Sequence, residues 1–211
     1  MGRLISFEGI EGAGKTTQLA IAAAYLARKG IPCLATSEPG DTHLGAAIRE
    51  LLLHAGHHVM TAEAEVLLFA ADRAQHVAEV LRPALARGLV VLCDRFTDAT
   101  LAYQGFGRGL ERDALAFLNH FATASLRPEL TLLFDLPAEE GLRRAQSRGT
   151  KGGSADRIEA ETLAFHRRIR DGYLELATAE PGRFRVVAAA AGIEVVARQV
   201  QSHLDVFLGG G

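Results

Sequence analysis

The run Gly9-Ile10-Glu11-Gly12-Ala13-Gly14-Lys15-Thr16 satisfies the pattern GxxxxGK[ST] at every fixed position, with an apolar stretch before it and an amphipathic one after. No other segment constrains the chain as tightly. The glycines let backbone N–H groups turn inward around a phosphate. A helix starting near Lys15 adds roughly half a positive charge at its N-terminus. The Lys15 ammonium can follow the β- and γ-phosphates, and the Thr16 hydroxyl suits Mg²⁺. The stretch Gly9 to Thr17 therefore predicts a nucleoside triphosphate site. It leaves the acceptor open: water, a nucleotide or another small molecule. Glu11 places a carboxylate inside an anion-binding loop, which is costly unless it faces a cation, a hydroxyl or Mg²⁺. A place next to the acceptor is the reading that reconciles it with the loop.

Short apolar runs alternate with longer helix-like segments along the rest of the chain. The strand candidates are Leu4 to Glu8, Pro32 to Ser37, Leu89 to Asp94, Leu130 to Leu136 and Phe184 to Ala188. Gly, Pro or charge flanks each, which favours buried parallel strands. Leu19, Ala22, Ala23 and Leu26 recur at i, i+3, i+4, i+7 in the first helix. Thr61 is placed to cap a long helix running to about Arg87, with Pro83 as a kink or break near its end. This order predicts an α/β fold: a three-layer sandwich with a five-stranded parallel sheet between helices, of the P-loop NTPase type. Ligands then gather beyond the carboxyl ends of the strands. At 211 residues the chain is long enough for one such domain, 1–211, with its own core. The polar, Gly-rich stretch 149–155 reads as a loop within a short lid at about 146–157, and Gly209-Gly210-Gly211 as a frayed tail.

Composition excludes other classes. A formal net charge of −2 gives no sign of a nucleic-acid partner. No apolar run is long enough to span a membrane, and the N-terminus lacks the apolar core of a signal peptide. Met1 to Ser6 fits the loose N-myristoylation pattern, a chance match at the entrance to the first strand. Cys33 and Cys93 sit in apolar runs without metal-ligand spacing and read as buried, reduced strand residues of a cytoplasmic protein. His54, His57 and His58 cluster near a helix end without a Cys or carboxylate to complete a metal site.

A second set of polar residues can serve the acceptor. Asp94-Arg95 ends the third apolar run, where an acid can hold Mg²⁺ and an arginine fork can bridge phosphates. Thr100, Tyr103 and Gln104 share one face if 96–104 is helical, an arrangement that suits a planar base. Phe69 and Arg73 stand four residues apart, a ring to stack on a base and a guanidinium to reach an exocyclic oxygen, although Phe69 taken alone reads as plain core. Arg49, among Ile48, Leu51, Leu52 and Leu53, is a snorkelling surface residue or a phosphate clamp. Asp135 ends the fourth run, as a support for the sheet end or a more distant acid, and is assigned no role.

Taken in order, FEGIEGAGKTT, the turn Glu38-Pro39-Gly40, LLFAADR (67–73), DRFTDATLAYQG (94–105) and DRIE (156–159) resemble the thymidylate kinase family in its bacterial form, over nearly the whole chain. The resemblance implies transfer of the γ-phosphoryl group of Mg-ATP to dTMP in dTTP biosynthesis, by a homodimer. It implies that Arg49 and Arg95 hold the dTMP phosphate beside Glu38 and Pro39. Phe69 stacks on thymine, Arg73 addresses its 4-oxo group, and Thr100 and Gln104 contact the base. Tyr103 packs under the deoxyribose and crowds out a 2′-hydroxyl. Thr16 and Asp94 serve Mg²⁺, and Glu11 reaches the sugar or phosphate of the acceptor. The loop has no arginine of its own, so the catalytic set of Lys15, Arg95 and Glu11 is completed by Arg148 from the lid. Arg144 and Arg157 are secondary candidates, with Arg144 alternatively over the adenine. Ser37, Asp41 and Ala99 depart from the family pattern, which commonly has Arg, Gly and Ser there. Two alternatives stand beside this reading: a kinase for another nucleoside monophosphate or a nucleoside, and a P-loop module that binds without transfer. No NKxD-type guanine motif occurs.

Overall fold

The computed structural model describes residues 2–53, 60–149 and 157–209, with the backbone alone at Arg148 and Gly149. The expected histidine cluster 54–58 and most of the lid, including the Arg148 side chain, lie outside the described residues. Five strands, β1 (Arg3–Glu8), β2 (Cys33–Ser37), β3 (Val90–Asp94), β4 (Leu130–Asp135) and β5 (Phe184–Ala188), form one parallel sheet in the order β2-β3-β1-β4-β5. The five expected runs are the five strands, shifted by at most a residue at their ends. β1 is central, with Ser6 opposite Cys93 on one side and Thr131 on the other.

Period-two alternation divides the core between the two faces of the sheet. Ile5 and Phe7 of β1 pack with Val90, Leu92, Leu130 and Leu132 on one face. Leu4 joins Val91, Cys93, Val77 and Leu81 on the other. Cys93 is buried as expected, but Cys33 is only half-buried, because β2 is the edge strand; both thiols are free.

The helices explain where the site lies. α1 (Lys15–Arg28) leaves the loop after β1, and buries Leu19, Ala22 and Leu26 as their spacing predicts. α2 (His43–Leu53) follows β2. α3 (Ala62–His76) begins at Thr61, whose hydroxyl accepts from the Ala64 N–H at 3.2 Å. The expected single helix to Arg87 is interrupted by a π turn at Val77–Leu81 before α4 (Arg82–Ala86). Pro83 lacks the N–H that would continue the ladder, and the wider turn just before it absorbs the mismatch. After β3 come the single turn α5 (Thr97–Thr100), a π segment (Leu101–Gly107) and α6 (Arg112–Thr123). α7 (Ala138–Gly149) and α8 (Leu163–Ala179) bracket the lid region, and α9 (Ile193–Gly209) closes the fold.

Candidate active site

Three segments meet beyond the carboxyl ends of β2, β3 and β1, where they line a cleft of about 480 Å³, within the range of small-molecule sites. The first is the loop after β1. Gly14 caps α1 in the left-handed region at φ 87°, a conformation that costs glycine nothing and leaves the first helical N–H groups pointing into the cleft. A Cβ on Gly12 would stand 2.1 Å from the carbonyl oxygen of Gly141, so the loop lies directly on α7. Ile10 and Ala13 turn their side chains into the core and leave only backbone to a ligand. Lys15 donates to the Ile10 carbonyl at 2.9 Å, folding its ammonium over the loop it belongs to.

The second segment is the end of β3. Asp94 accepts from the Thr16 hydroxyl at 2.6 Å. Arg95 adopts φ 70°, strained for a residue with a Cβ, and its N–H donates to the Phe7 carbonyl. That strain turns the guanidinium back across the loop, where it donates to the Gly9 carbonyl at 3.0 Å and to Glu11 Oε1 at 2.7 Å. Its plane lies 4.8 Å from the Tyr103 ring centroid. The Tyr103 hydroxyl donates to the same Glu11 oxygen at 2.6 Å. The condition set by the sequence for an acid in this loop is thus met: Glu11 is buried, facing a cation and a hydroxyl. Burial alone would raise its pKa. The charge of Arg95, then His166, Lys15 and Tyr103, outweigh burial and hold it far below the usual carboxylate range.

The third segment joins the turn after β2 to α3. Glu38 accepts from Arg73 Nε at 2.8 Å in a pair buried on both sides. Arg73 further donates to Thr100 at 2.6 Å, to Asn119 at 2.8 Å and to the Phe96 carbonyl at 3.0 Å. It is therefore a strut of the cleft wall as well as a cleft-lining donor. Phe69 is half-buried on the same wall, available to stack against a planar ligand. Arg49 is exposed and donates to the Pro39 carbonyl at 2.7 Å. Thr100, Tyr103 and Gln104 all line the cleft, although the helix widens to a π segment after Thr100. Its glycines lie close to neighbouring helices: a Cβ on Gly107 would stand 2.8 Å from the Phe165 ring of α8, and one on Gly105 3.3 Å from Leu115 of α6. Ser37, Asp41 and Ala99 line this cleft too.

Two expected residues lie elsewhere. Arg144 is outside the cleft lining, bound to Glu140 at 2.7 Å and to the Ala189 carbonyl at 3.2 Å. Arg157 turns to Glu65 and to the Leu52 carbonyl. Sequence reading missed Glu65, which is buried and binds Gln104, Arg108 and Arg157. Its signal was present: Glu65, Phe69 and Arg73 share one helical stripe at i, i+4, i+8. It also missed His166, a buried side chain whose Nδ1 is 3.2 Å from Glu11 Oε2; nothing in the local pattern of α8 marks it. Asp135, given no role by the sequence, makes a paired contact with Arg170 at 2.7 and 3.0 Å.

The family model for thymidylate kinase matches residues 7–200. The chain belongs to the thymidylate kinase family. Among similar proteins, a thymidylate kinase of Syntrophus aciditrophicus is 56% identical over 98% of this chain and 95% of its own length. One from Geobacter sulfurreducens is 52% identical over 97% of each. The crystal structure of thymidylate kinase from Ehrlichia chaffeensis superposes with a TM-score of 0.76 at 29% identity, covering 96% of this chain and 98% of that one. The fold expected from the sequence, a five-stranded parallel sheet between helices, is the fold of this thymidylate kinase.

The electrostatics of the loop carry a prediction. Burial, then the charge of Arg95, lowers the pKa of Lys15 to about 8, against the pull of Asp94, Glu11 and Glu8. A triphosphate needs the ammonium form. As pH rises through that value the free protein gives up a proton that ATP must bring back on binding. The Kd for ATP is therefore expected to climb above about pH 8, toward tenfold per pH unit, with about one proton taken up per ATP. Calorimetry in buffers of different ionisation enthalpy measures that uptake; a Kd that stays flat, with no proton uptake, contradicts the assignment.

Proposed function

We propose that the chain transfers the γ-phosphoryl group of ATP to dTMP, giving dTDP and ADP, the step that leads toward dTTP. The observation that carries this reading is that one cleft holds both a triphosphate-binding loop and a second set of cations and base-facing groups, with Arg95 and Glu11 between them. A nucleoside kinase needs a base for a hydroxyl; a monophosphate kinase needs arginines for a phosphate already present. Arg49, Arg73 and Arg95 on the cleft wall favour the second.

In this reading Gly9 to Thr17 hold the ATP phosphates, with Lys15 over the β- and γ-groups. Arg49 and Arg95, beside Glu38 and Pro39, hold the dTMP phosphate. Phe69 stacks on the base, with Arg73, Thr100 and Gln104 at its edge, and Tyr103 packs under the sugar. A phosphate oxygen of dTMP attacks the γ-phosphorus in line, and positioning with charge neutralisation supplies most of the rate. Thr16 and Asp94 bring a hydroxyl and a carboxylate oxygen within 2.6 Å of each other, the hard oxygen donors that suit Mg²⁺. These two residues would hold the ion, which neutralises charge on the transferring phosphate when bound. Arg144 and Arg148 are assigned to the ATP side, Arg148 as the catalytic cation.

The whole described chain acts as one kinase domain with a lid at about 146–157. A homodimer is supported by Leu44 and Leu51 on α2, Leu67 on α3, and Phe117 and Phe121 on α6, large apolar side chains left exposed on helices that pack side by side. No described helix is long and apolar enough to cross a membrane, and the free thiols fit a cytoplasmic protein.

ADP release measured with dTMP, dUMP, dCMP, UMP and thymidine tests the acceptor. Release is expected to depend on dTMP and to be absent with thymidine. Release without any acceptor would overturn transfer, and a preference for UMP or thymidine would overturn the choice of acceptor.

A further inference from the structure

Behind the Glu38-Pro39-Gly40 turn, His76 sits in a line of hydrogen bonds whose protons can be counted. Its Nδ1 lies 2.9 Å from Glu38 Oε1, and its Nε2 lies 2.6 Å from Thr36 Oγ1. The Thr36 hydroxyl also meets Asp41 Oδ2. His76, Glu38 and Thr36 are all buried. An ionised carboxylate can only accept, and a hydroxyl has one proton to give. Asp41 therefore takes the Thr36 proton. The Thr36 oxygen then accepts from Nε2, and Glu38 accepts from Nδ1. Each ring nitrogen must carry a hydrogen.

The missing proton could instead sit on a carboxylate. Glu38 is the poorer place, because its other oxygen already receives the permanently charged Arg73 guanidinium at 2.8 Å. Asp41 is exposed, where water hydrates the anion. The remaining titratable neighbours are Asp72 and Arg73 on α3 itself and Cys93 on β3. Glu38, His76 and Cys93 bring potential metal-ligand atoms within 4.8 Å of one another. A ring with hydrogens on both nitrogens has no lone pair for a metal, so the same count argues against an ion there.

We propose that His76 is held as an imidazolium between Asp41 and Glu38, and that it is a positioning residue for the acceptor. It fixes Glu38, Glu38 fixes Arg73, and Arg73 fixes Thr100 at 2.6 Å. Both ends of this line, Asp41 and Thr100, belong to the cleft wall, whereas His76 does not. The second proton depends on Asp41: without that carboxylate the Thr36 hydroxyl is free to donate to Nε2. The buried cation also offsets a carboxylate on a wall that must admit a phosphate.

The protonation half is independent of the acceptor reading; the positioning half rests on it. Long-range ¹⁵N–¹H correlation spectra, with His76 assigned by its loss in His76→Gln, report both ring nitrogens. Near neutral pH both are expected to be protonated in the wild type, and Nε2 to lose its proton in Asp41→Ala, which removes the exposed acceptor and leaves the Thr36 hydroxyl to donate to the ring. An unprotonated Nε2 or Nδ1 in the wild type would overturn the proposal, as would a ring unchanged by Asp41→Ala. In Thr36→Val, the KM for dTMP is expected to rise about fivefold, the equivalent of one hydrogen bond, with kcat nearly unchanged. An unchanged KM there, with a raised KM in Arg73→Lys, would overturn the positioning role. An unchanged KM in both would overturn the acceptor reading as well, while the imidazolium would still be decided by the spectra.

Discussion

Replacing Arg95 by alanine is expected to lower kcat/KM for dTMP by roughly 10²–10³-fold and to cost about 3–5 kcal/mol of stability. Both effects have one origin. The guanidinium is the charged partner of Glu11, a buried carboxylate in a loop built for anions, and it also donates to the Gly9 carbonyl and covers the Tyr103 ring. Its removal leaves Glu11 buried without its nearest cation and leaves the acceptor phosphate without a ligand. A double variant separates the two consequences. Glu11→Gln added to Arg95→Ala removes the stranded charge, so the melting temperature is expected to recover substantially while turnover stays low. Arg95→Lys keeps the charge but cannot bridge two acceptors with a planar fork, and intermediate activity is expected. Parallel recovery of stability and turnover in the double variant would mean that Arg95 serves the fold and not the substrate.

The second large effect belongs to Arg148. Arg148→Ala is expected to cut kcat by about 10³-fold or more while leaving the Kd for dTMP nearly unchanged. The reason is the fixed commitments of the other cations. Arg95 is tied to Glu11, Arg73 to Glu38, Arg49 to the Pro39 carbonyl, Arg144 to Glu140 and Arg157 to Glu65. Lys15 is the loop's own cation, and phosphoryl transfer gains from a second one. Arg148 lies one helical turn beyond Arg144 on α7, the helix whose Gly141 rests on the loop at Gly12. Single-turnover rates with saturating ATP and dTMP measure the effect. Weakened dTMP binding with normal turnover would move Arg148 out of the catalytic set.

Much of this was legible in the sequence because it depends on local chemistry. The five strands are short apolar runs between breakers, and the loop is a contiguous motif whose geometry follows from its glycines. The cleft residues Phe69, Arg73, Thr100, Tyr103 and Gln104 were marked by spacing, which survives even where the helix widens to a π segment. What spacing cannot show is who holds whom across the chain. Glu65 meets Arg108 and Arg157 from positions 43 and 92 residues away, and His166 reaches Glu11 from a helix that sequence joins to the lid. Arg73 looked like a ligand and proved equally a strut, because its partners Glu38, Thr100 and Asn119 come from three separate segments. The π turn before Pro83 was invisible for the opposite reason: it is a local adjustment made by a helix already committed to packing against the sheet.

The strand order has a consequence for how such a protein can change. β1 and its loop stand at the centre. The turn after β2 and the end of β3, which supply Glu38, Asp94 and Arg95, lie to one side; β4, β5 and the contact of Arg144 with Ala189 lie to the other. Asp94 and Arg95 tie the β2–β3 flank to the loop, through Thr16 and Gly9, so substitutions that retune the choice of monophosphate must spare those two residues. Ser37, Asp41 and Ala99 line the cleft on that flank. A library confined to Ser37, Asp41 and Ala99, cleft-lining positions on the β2–β3 side away from that tie, is where new acceptors should be sought.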